Sequence, residues 1–325
     1  MSYNDTFLQE IMIACKKLIV AGDSLVVGLS GGPDSVFLLH MLVQLKEQMP
    51  FTLVAVHLNH EWRDTAAADA AFCAHLCAQL NVPLISKKIS ELSFTSKYNG
   101  SKEEVARKAR RFFFEQITKE HNATAIALAH HAQDQQETFF IRLLRGTSLS
   151  GMIGMKKRDG LYIRPLLSIN KQQILEHLHT HAIAYCTDET NESSAFLRNR
   201  IRAKVIPALK DADNRFDDAF VKTLNHLQNT EDFLQEYTTT LFKQMVTHEG
   251  DHFYLPCHEL KQLHPTIKQR IIIMWLCAYQ VPFAVSEAFF NELIRFLEHD
   301  NAKTHQMNNS WCVEKFSDKA LIRNS

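Results

Sequence analysis

The stretch LVVGLSGGPDS, residues 25–35, decides the fold. Its first half, LVVGL (25–29), is a short apolar, β-branched run, the pattern of a strand buried on both faces of a parallel sheet. Pro33–Lys46 then reads as a helix, with Pro33 in the first turn, where the N–H that proline lacks would have no partner anyway. Between strand and helix stand Gly31 and Gly32. Two glycines there let backbone N–H groups turn inward, and the helix start adds partial positive charge, so the junction predicts an anion site. Ser30 and Ser35 can add hydroxyl donors. Asp34 would repel a phosphate unless a cation stood between them, which points to Mg²⁺ held by carboxylate and phosphate together. A plain strand-to-helix turn is the rival reading. The loop is not a Walker A loop, since no Gly-Lys-Ser/Thr follows, and it lacks the GxGxxG of a dinucleotide site.

Working outward, the same alternation continues. Residues 5–20 read as an amphipathic helix, TLVAVHL (52–58) as a strand, 64–80 as a helix and VPLISKKI (82–89) as a strand. Ser101, three before Glu104, opens a further helix, followed by a strand at ATAIALAH (123–130) and a helix from Asp134 to Arg145, stopped by Gly146. Residues 147–165 are looser, with a fifth strand at 161–163, and Ser168 caps a helix through His181. Strand and helix alternate at the spacing of βαβ units. The prediction is an α/β fold, a doubly wound parallel sheet of about five strands in a domain spanning 1–210. From about 209 the pattern changes. Residues 214–248, 264–280 and 285–298 read as helices, and 306–323 shows short strand-like alternation, so 214–325 is expected to form a second, mainly helical domain.

Bulk properties exclude little. The chain has 325 residues, 36 basic and 36 acidic, so any affinity for nucleic acid must come from local clusters. The N-terminal MSYNDTFLQE shows no basic stretch before an apolar run, and no run is long enough to span a bilayer, so a cytoplasmic protein without a membrane partner is expected. The seven cysteines form no CxxC pair, and Cys73 and Cys77 fall on the apolar side of one helix, which reads as core in a reducing compartment.

Chemistry-bearing residues gather at predicted strand ends. His57 and Asn59 alternate on one face of the second strand, with core packing as the rival for His57. His130 and His131 close the fourth strand, at the edge where open α/β sheets bind ligands. Asp134 and Glu137, three apart, share a face of the helix that follows. They could hold Mg²⁺, a substrate or one each, although acids near a helix start are also ordinary dipole partners. Arg107, Arg110 and Arg111, with Lys108, form a basic patch beside Phe112, Phe113 and Phe114, which read as core. Arg198 and Arg202 are four apart on one helix face.

The loop Ser30-Gly31-Gly32-Pro33-Asp34-Ser35 resembles the PP-loop of the N-type ATP pyrophosphatases. With it stand Val56-His57-Leu58-Asn59-His60 leading to Trp62-Arg63, then Glu104-Val105-Ala106-Arg107, and Leu128 to Thr138 with its His130-His131 pair. Arg164-Pro165-Leu166-Leu167 follows, and Asp188-Glu189-Thr190-Asn191 leads to Phe196 and Arg198-Asn199-Arg200-Ile201-Arg202. In that order these blocks resemble the family of tRNA(Ile)-lysidine synthetases, over about residues 20–208.

That resemblance implies an adenine nucleotide alpha hydrolase-like fold and a reaction. ATP is split at the α-phosphate, and lysine is joined to C2 of the wobble cytidine of an isoleucine tRNA with a CAU anticodon. It implies ATP binding by residues 30–35 and His57, with Mg²⁺ on Asp34 and Asp134. It implies catalytic roles for Asp34, Asp134, Glu137, His130, His131, Arg198 and Arg202, and RNA binding by Arg107, Arg110 and Arg111. The partners implied are that tRNA and free L-lysine, and a homodimer is compatible with it. At pH 7 only about one lysine amine in 10³ is neutral, so a carboxylate acting as general base is expected. A 2-thiolation enzyme of the same superfamily is the alternative, but it would carry cysteines for a cluster or a persulfide. Two departures stand out. Many members have two aspartates after the histidine pair, and the first is Gln133 here. The last C-terminal domain of longer members is also not expected.

Overall fold

The computed structural model describes residues 3–62, 65–94, 102–187, 197–283, 286–299 and 303–324. The apolar run before the glycines forms β1 (Ser24–Gly28), the middle of a sheet that also contains β2 (Thr52–Asn59), β3 (Leu84–Lys88), β4 (Ala125–Ala127), β5 (Arg158–Asp159) and β6 (Tyr162–Ile163). Their order is β3-β2-β1-β4-β6-β5. All neighbours are parallel except β5 and β6, so the five expected strands are joined by one short antiparallel edge. Helices α1 (Tyr3–Lys16), α2 (Pro33–Gln48), α3 (Ala66–Gln79), α4 (Lys102–Glu120), α5 (Ala132–Leu144), α6 (Leu149–Met152) and α7 (Lys171–Thr180) alternate with these strands. After α8 (Leu197–Arg200) and a π-type turn (Ile201–Val205) come α9 (Ile206–Ala212) and α10 (Phe216–Met245).

Alternation along β1 shows why both faces need cover. Leu25 and Val27 enter the core shared with Phe7, Phe37 and Leu178, whereas Val26 enters the core containing Phe113, Phe114 and Ile117. Phe113 is completely buried and Phe114 nearly so, which at about 1.5–3 kcal/mol for a fully buried side chain makes α4 a structural wall. Phe112 is half-exposed against Phe94, with ring centroids 5.7 Å apart. Gly28 permits the close approach of α4: a Cβ there would stand 2.8 Å from the Phe114 ring.

The fourth strand is shorter than expected, Ala125–Ala127, so His130 and His131 follow it instead of closing it, and two helix starts also differ from expectation. Helix α5 starts at Ala132, not Asp134, with His131 in the cap position, and Asp134 accepts the His131 backbone N–H at 2.9 Å. Helix α7 is capped by Asn170, not Ser168: its side-chain oxygen accepts the Gln172 N–H at 2.9 Å, the short reach that makes Asn a good N-cap. Ser101 lies outside the described residues.

The chain divides after Leu224 into two compact units. The second holds the rest of α10 and a five-stranded antiparallel sheet, ordered β7-β8-β11-β10-β9. Its strands are β7 (Thr247–Glu249), β8 (His252–Pro256), β9 (Thr304–Asn308), β10 (Trp311–Phe316) and β11 (Lys319–Asn324). Helices α11 (Cys257–Gln262), α12 (Pro265–Ala278) and α13 (Glu287–Glu298) complete it. Trp275 is fully buried at its centre and donates its indole N–H to the Phe253 carbonyl at 2.7 Å. The strands at 247–256 and helix α11 had no counterpart in the sequence reading. Among the described residues no helix is long and apolar enough to cross a membrane.

Candidate active site

Strand order fixes where a ligand can sit. From β1 the chain moves outward through β2 and β3, then returns to the other side of β1 at β4. The crevice outside the carboxyl ends of β1 and β4 is therefore the switch point where open α/β sheets bind ligands. The glycine loop leaves β1 there, and His130 and His131 follow β4.

The loop is held by its own hydroxyls. The Ser30 N–H donates to Ser35 Oγ at 3.1 Å, and Ser35 Oγ–H donates to the Gly32 carbonyl at 2.9 Å. Gly31 has φ +85°, the left-handed region that side chains other than glycine rarely adopt, and its carbonyl accepts the Cys186 N–H at 2.9 Å. His57 lies behind the loop, buried, with Nδ1 2.9 Å from the Leu29 carbonyl. Burial holds its pKa below the ordinary histidine value, so the ring is neutral near pH 7. Asn59 is also buried, bonding the Ala66 carbonyl and the Glu61 N–H, so it shapes the end of β2.

Asp34 stands in the first turn of α2. Its Oδ2 is 3.3 Å from Lys171 Nζ and 3.5 Å from His131 Nε2. Burial works to raise its pKa, but the His131 hydrogen bond and charge and the Lys171 charge outweigh that and hold the carboxyl below its usual range. Its other oxygen, Oδ1, is buried without a hydrogen-bond partner. An anionic oxygen left this way fits a cation. Among the described residues no group of three or more His, Cys, Asp or Glu could hold a metal ion. A cation on Asp34 would therefore have to take most of its shell from phosphate and water.

Asp134 and Glu137 meet their partners from the 197–205 segment. Arg198 donates from Nη2 to Asp134 Oδ1 at 2.6 Å and from Nε to Glu137 Oε2 at 2.5 Å. Arg202 Nε donates to Glu137 Oε1 at 2.5 Å. Glu137 is 1% exposed with both oxygens taken. For Asp134, burial works to raise the pKa, but the charges of His131 and Arg198 prevail and lower it. Its Oδ2 takes the His131 N–H, so a metal ion on Asp134 would share an oxygen with one of these donors.

His130 is pushed down to about 4, mainly by burial, with Arg164, Arg198 and Arg107 adding to the effect against the pull of Asp134. It is neutral at pH 7, and its Nδ1 is buried without a partner. The three arginines of α4 part company. Arg107 lies close enough for its charge to act on His130, whereas Arg110 meets His60 Nε2 at 3.1 Å. Arg111 pairs with Glu115 at 2.8 Å and lies over the Tyr162 ring. Arg63, residues 188–191 and Phe196 lie outside the described residues.

Two groups that the structure brings to the site went unread in the sequence. Lys171 is the first residue of α7, and it meets Asp34 across 137 positions of chain. Gln133, given no role, accepts the Lys171 N–H at 2.9 Å. A lysine at a helix start carries no signal of its own, because it opposes the helix dipole.

Comparison with known proteins agrees with this geometry. The family described as PP-loop domain matches residues 5–209. The chain is 37% identical over 239 residues to a tRNA(Ile)-lysidine synthase of Clostridium perfringens, covering 72% of this chain and 50% of that protein. To a tRNA(Ile)-lysidine synthase of Bacillus cereus it is 30% identical over 305 residues, covering 90% and 64%. It thus spans about half to two thirds of the length of these relatives. Among solved structures, the U34-tRNA thiolase NcsA of Methanococcus maripaludis, with its [4Fe-4S] cluster, superimposes with a TM-score of 0.58 at 15% identity. That match covers 69% of this chain and 79% of the thiolase, and it speaks to the fold alone.

Proposed function

Because the chain belongs to the family of PP-loop domains, we propose that it is an ATP-dependent ligase acting in the cytoplasm. It joins lysine to C2 of the wobble cytidine of an isoleucine tRNA with a CAU anticodon. The names of its relatives support this substrate pair. One observation carries the reading: two acids and two arginines are interlinked at the switch point, Arg198 bridging Asp134 and Glu137 and Arg202 pairing with Glu137.

The chemistry uses these pairs in two steps. First, cytosine O2 attacks the α-phosphate, the bond to the bridging oxygen breaks, and pyrophosphate leaves. The loop N–H groups and the α2 start hold the departing charge, and Arg198 and Arg202 turn from their carboxylates to the α-phosphate. Asp34, together with Asp134, would hold Mg²⁺, which would supply charge neutralisation on the phosphates. Second, the lysine amine attacks C2, the C2–O bond breaks, and AMP leaves. Once their arginines have turned away, Asp134 and Glu137 have oxygens free to take the amine proton. Neutral His130 accepts or donates a hydrogen bond at the base without adding charge. Arg107, Arg110 and Arg111 contribute to gripping RNA phosphates.

The test is pyrophosphate release from ATP with lysine and purified tRNAs. Release that needs both lysine and the CAU isoleucine tRNA, with lysine incorporated into RNA, is the expected result. Release indifferent to lysine would replace the ligase with a 2-thiolation enzyme, and no release at all would leave a nucleotide-sensing module.

A further inference from the structure

Three helices, α2, α5 and α7, begin close together at the carboxyl end of the first sheet. Ala132 at the start of α5 donates its N–H to the Ile169 carbonyl at 2.9 Å, and Gln133 accepts the N–H of Lys171, the first residue of α7. Asp34, in the first turn of α2, then receives the Lys171 ammonium at 3.3 Å. Three such starts aim partial positive charge at one place, which favours an anion far more than an added cation. Yet that place holds an ammonium, tethered by a flexible four-carbon stem and about a third exposed. The Lys171 N–H, donated to Gln133 Oε1, fixes the root of that stem while the side chain stays free to turn.

The aspartate it rests on is only half used. Asp34 Oδ2 serves Lys171 and His131, while Oδ1 has no hydrogen-bond partner. A pairing that leaves one buried oxygen bare is a poor permanent arrangement for a carboxylate. It suits a temporary one, in which the ammonium balances Asp34 until phosphate arrives.

We propose that Lys171 is a phosphate-contacting residue of this site: it rests on Asp34 in the empty loop and passes to the pyrophosphate oxygens of the bound nucleotide, freeing Asp34 to hold a cation. Gln133 positions it by holding the start of α7. No bond is made or broken in the exchange, which swaps one ion pair for another. The proposal rests on the reading that the loop grips the terminal phosphates of ATP, and on nothing about lysine or tRNA.

The experiment measures binding of inorganic pyrophosphate to the full chain by calorimetry, with chelator present so that no metal contributes. Lys171→Met keeps the stem and removes the charge. It should weaken binding by about tenfold or more, the scale of one lost charge-assisted hydrogen bond. Lys171→Arg should stay within about threefold of the parent. The rise in melting temperature that pyrophosphate gives the parent should shrink in Lys171→Met and persist in Lys171→Arg. If Lys171 merely braces Asp34, Lys171→Met will shift the melting temperature without ligand and bind pyrophosphate as the parent does, which overturns the proposal. A parent that binds no pyrophosphate would bring down this inference together with the nucleotide reading of the loop. A parent that binds it but ligates no lysine would cost only the ligase reading.

Discussion

Asp34, early in α2, and Glu137, early in α5, are carboxylates at the same edge of the same sheet, yet their surroundings are opposite. Asp34 keeps one buried oxygen without a partner and shares the other between a lysine and a histidine. Glu137 is sealed at 1% exposure with a guanidinium on each oxygen. The first environment is built to accept something more, and the second is complete. The difference separates an acid that meets a ligand from an acid that first of all positions two arginines.

The largest effect should come from breaking the open end. Asp34→Asn keeps the shape and removes the charge, so a cation loses its anchor, and pyrophosphate release should fall by about 10³ or more, the scale of losing a preorganised electrostatic contact. The melting temperature should fall by a smaller effect, that of the lost pairing with Lys171 and His131. Near-normal turnover in the assay would remove Asp34 from the site.

At the closed end the order reverses, and stability suffers with activity. Glu137→Gln leaves two guanidiniums facing a neutral amide, which should cost about 1.5–3 kcal/mol in urea unfolding, the range for hydrogen bonds to charged groups. Turnover should drop by about 10–100-fold as Arg198 and Arg202 lose their aim. A variant as stable as the parent would mean the arginines hold their places through other contacts.

The same contrast explains what could be read beforehand. The open end was legible because its signals are local: glycines, a proline and an aspartate follow one another between strand and helix. The helix face bearing Asp134 and Glu137 was legible from their spacing alone. What could not be read was which distant group completes each acid. Arg198 and Arg202 were singled out, but their meeting with Glu137 depends on a chain returning after some sixty residues. Lys171 was invisible because propensity argues against a lysine at a helix start, and tertiary electrostatics overrode it. In the second unit, β7 and β8 were hidden because strands such as THE and HFYLP are too short and too polar for a period of two to stand out.

A gentler probe acts through pH on His130, which lies between the two ends. Its folded pKa is about 4, against an ordinary 6.5, so the folded state disfavours its proton. The unfolded chain then binds more protons between these values, and stability must fall as pH drops from 6.5 toward 4, while being fully present above 6.5. His177, also pushed down to about 4 by burial and by His181 and His40, adds to the same window. Urea unfolding of the parent at pH 7 and pH 4.5 should show the loss. His130→Gln should show a smaller loss between those two values, because the His130 contribution is then removed while the other buried histidines still titrate. An equal loss in both proteins would mean that burial of His130 does not govern its proton.

The smallest effect is expected furthest from the acids, on the outer turn of α4. Arg110 bonds a histidine and Arg111 pairs with Glu115, and changing both to Ala should leave pyrophosphate binding within about threefold of the parent. If they meet RNA phosphates, each releases about one counterion, and the slope of log K against log salt for tRNA binding should shrink by about 2 in the double variant. Arg111 gives up its Glu115 contact to do so, which for so exposed a pair costs little. A salt slope equal to the parent's would assign both arginines to the helix surface. It would leave Arg107, whose charge reaches His130, as the α4 arginine to test next for a role in gripping RNA.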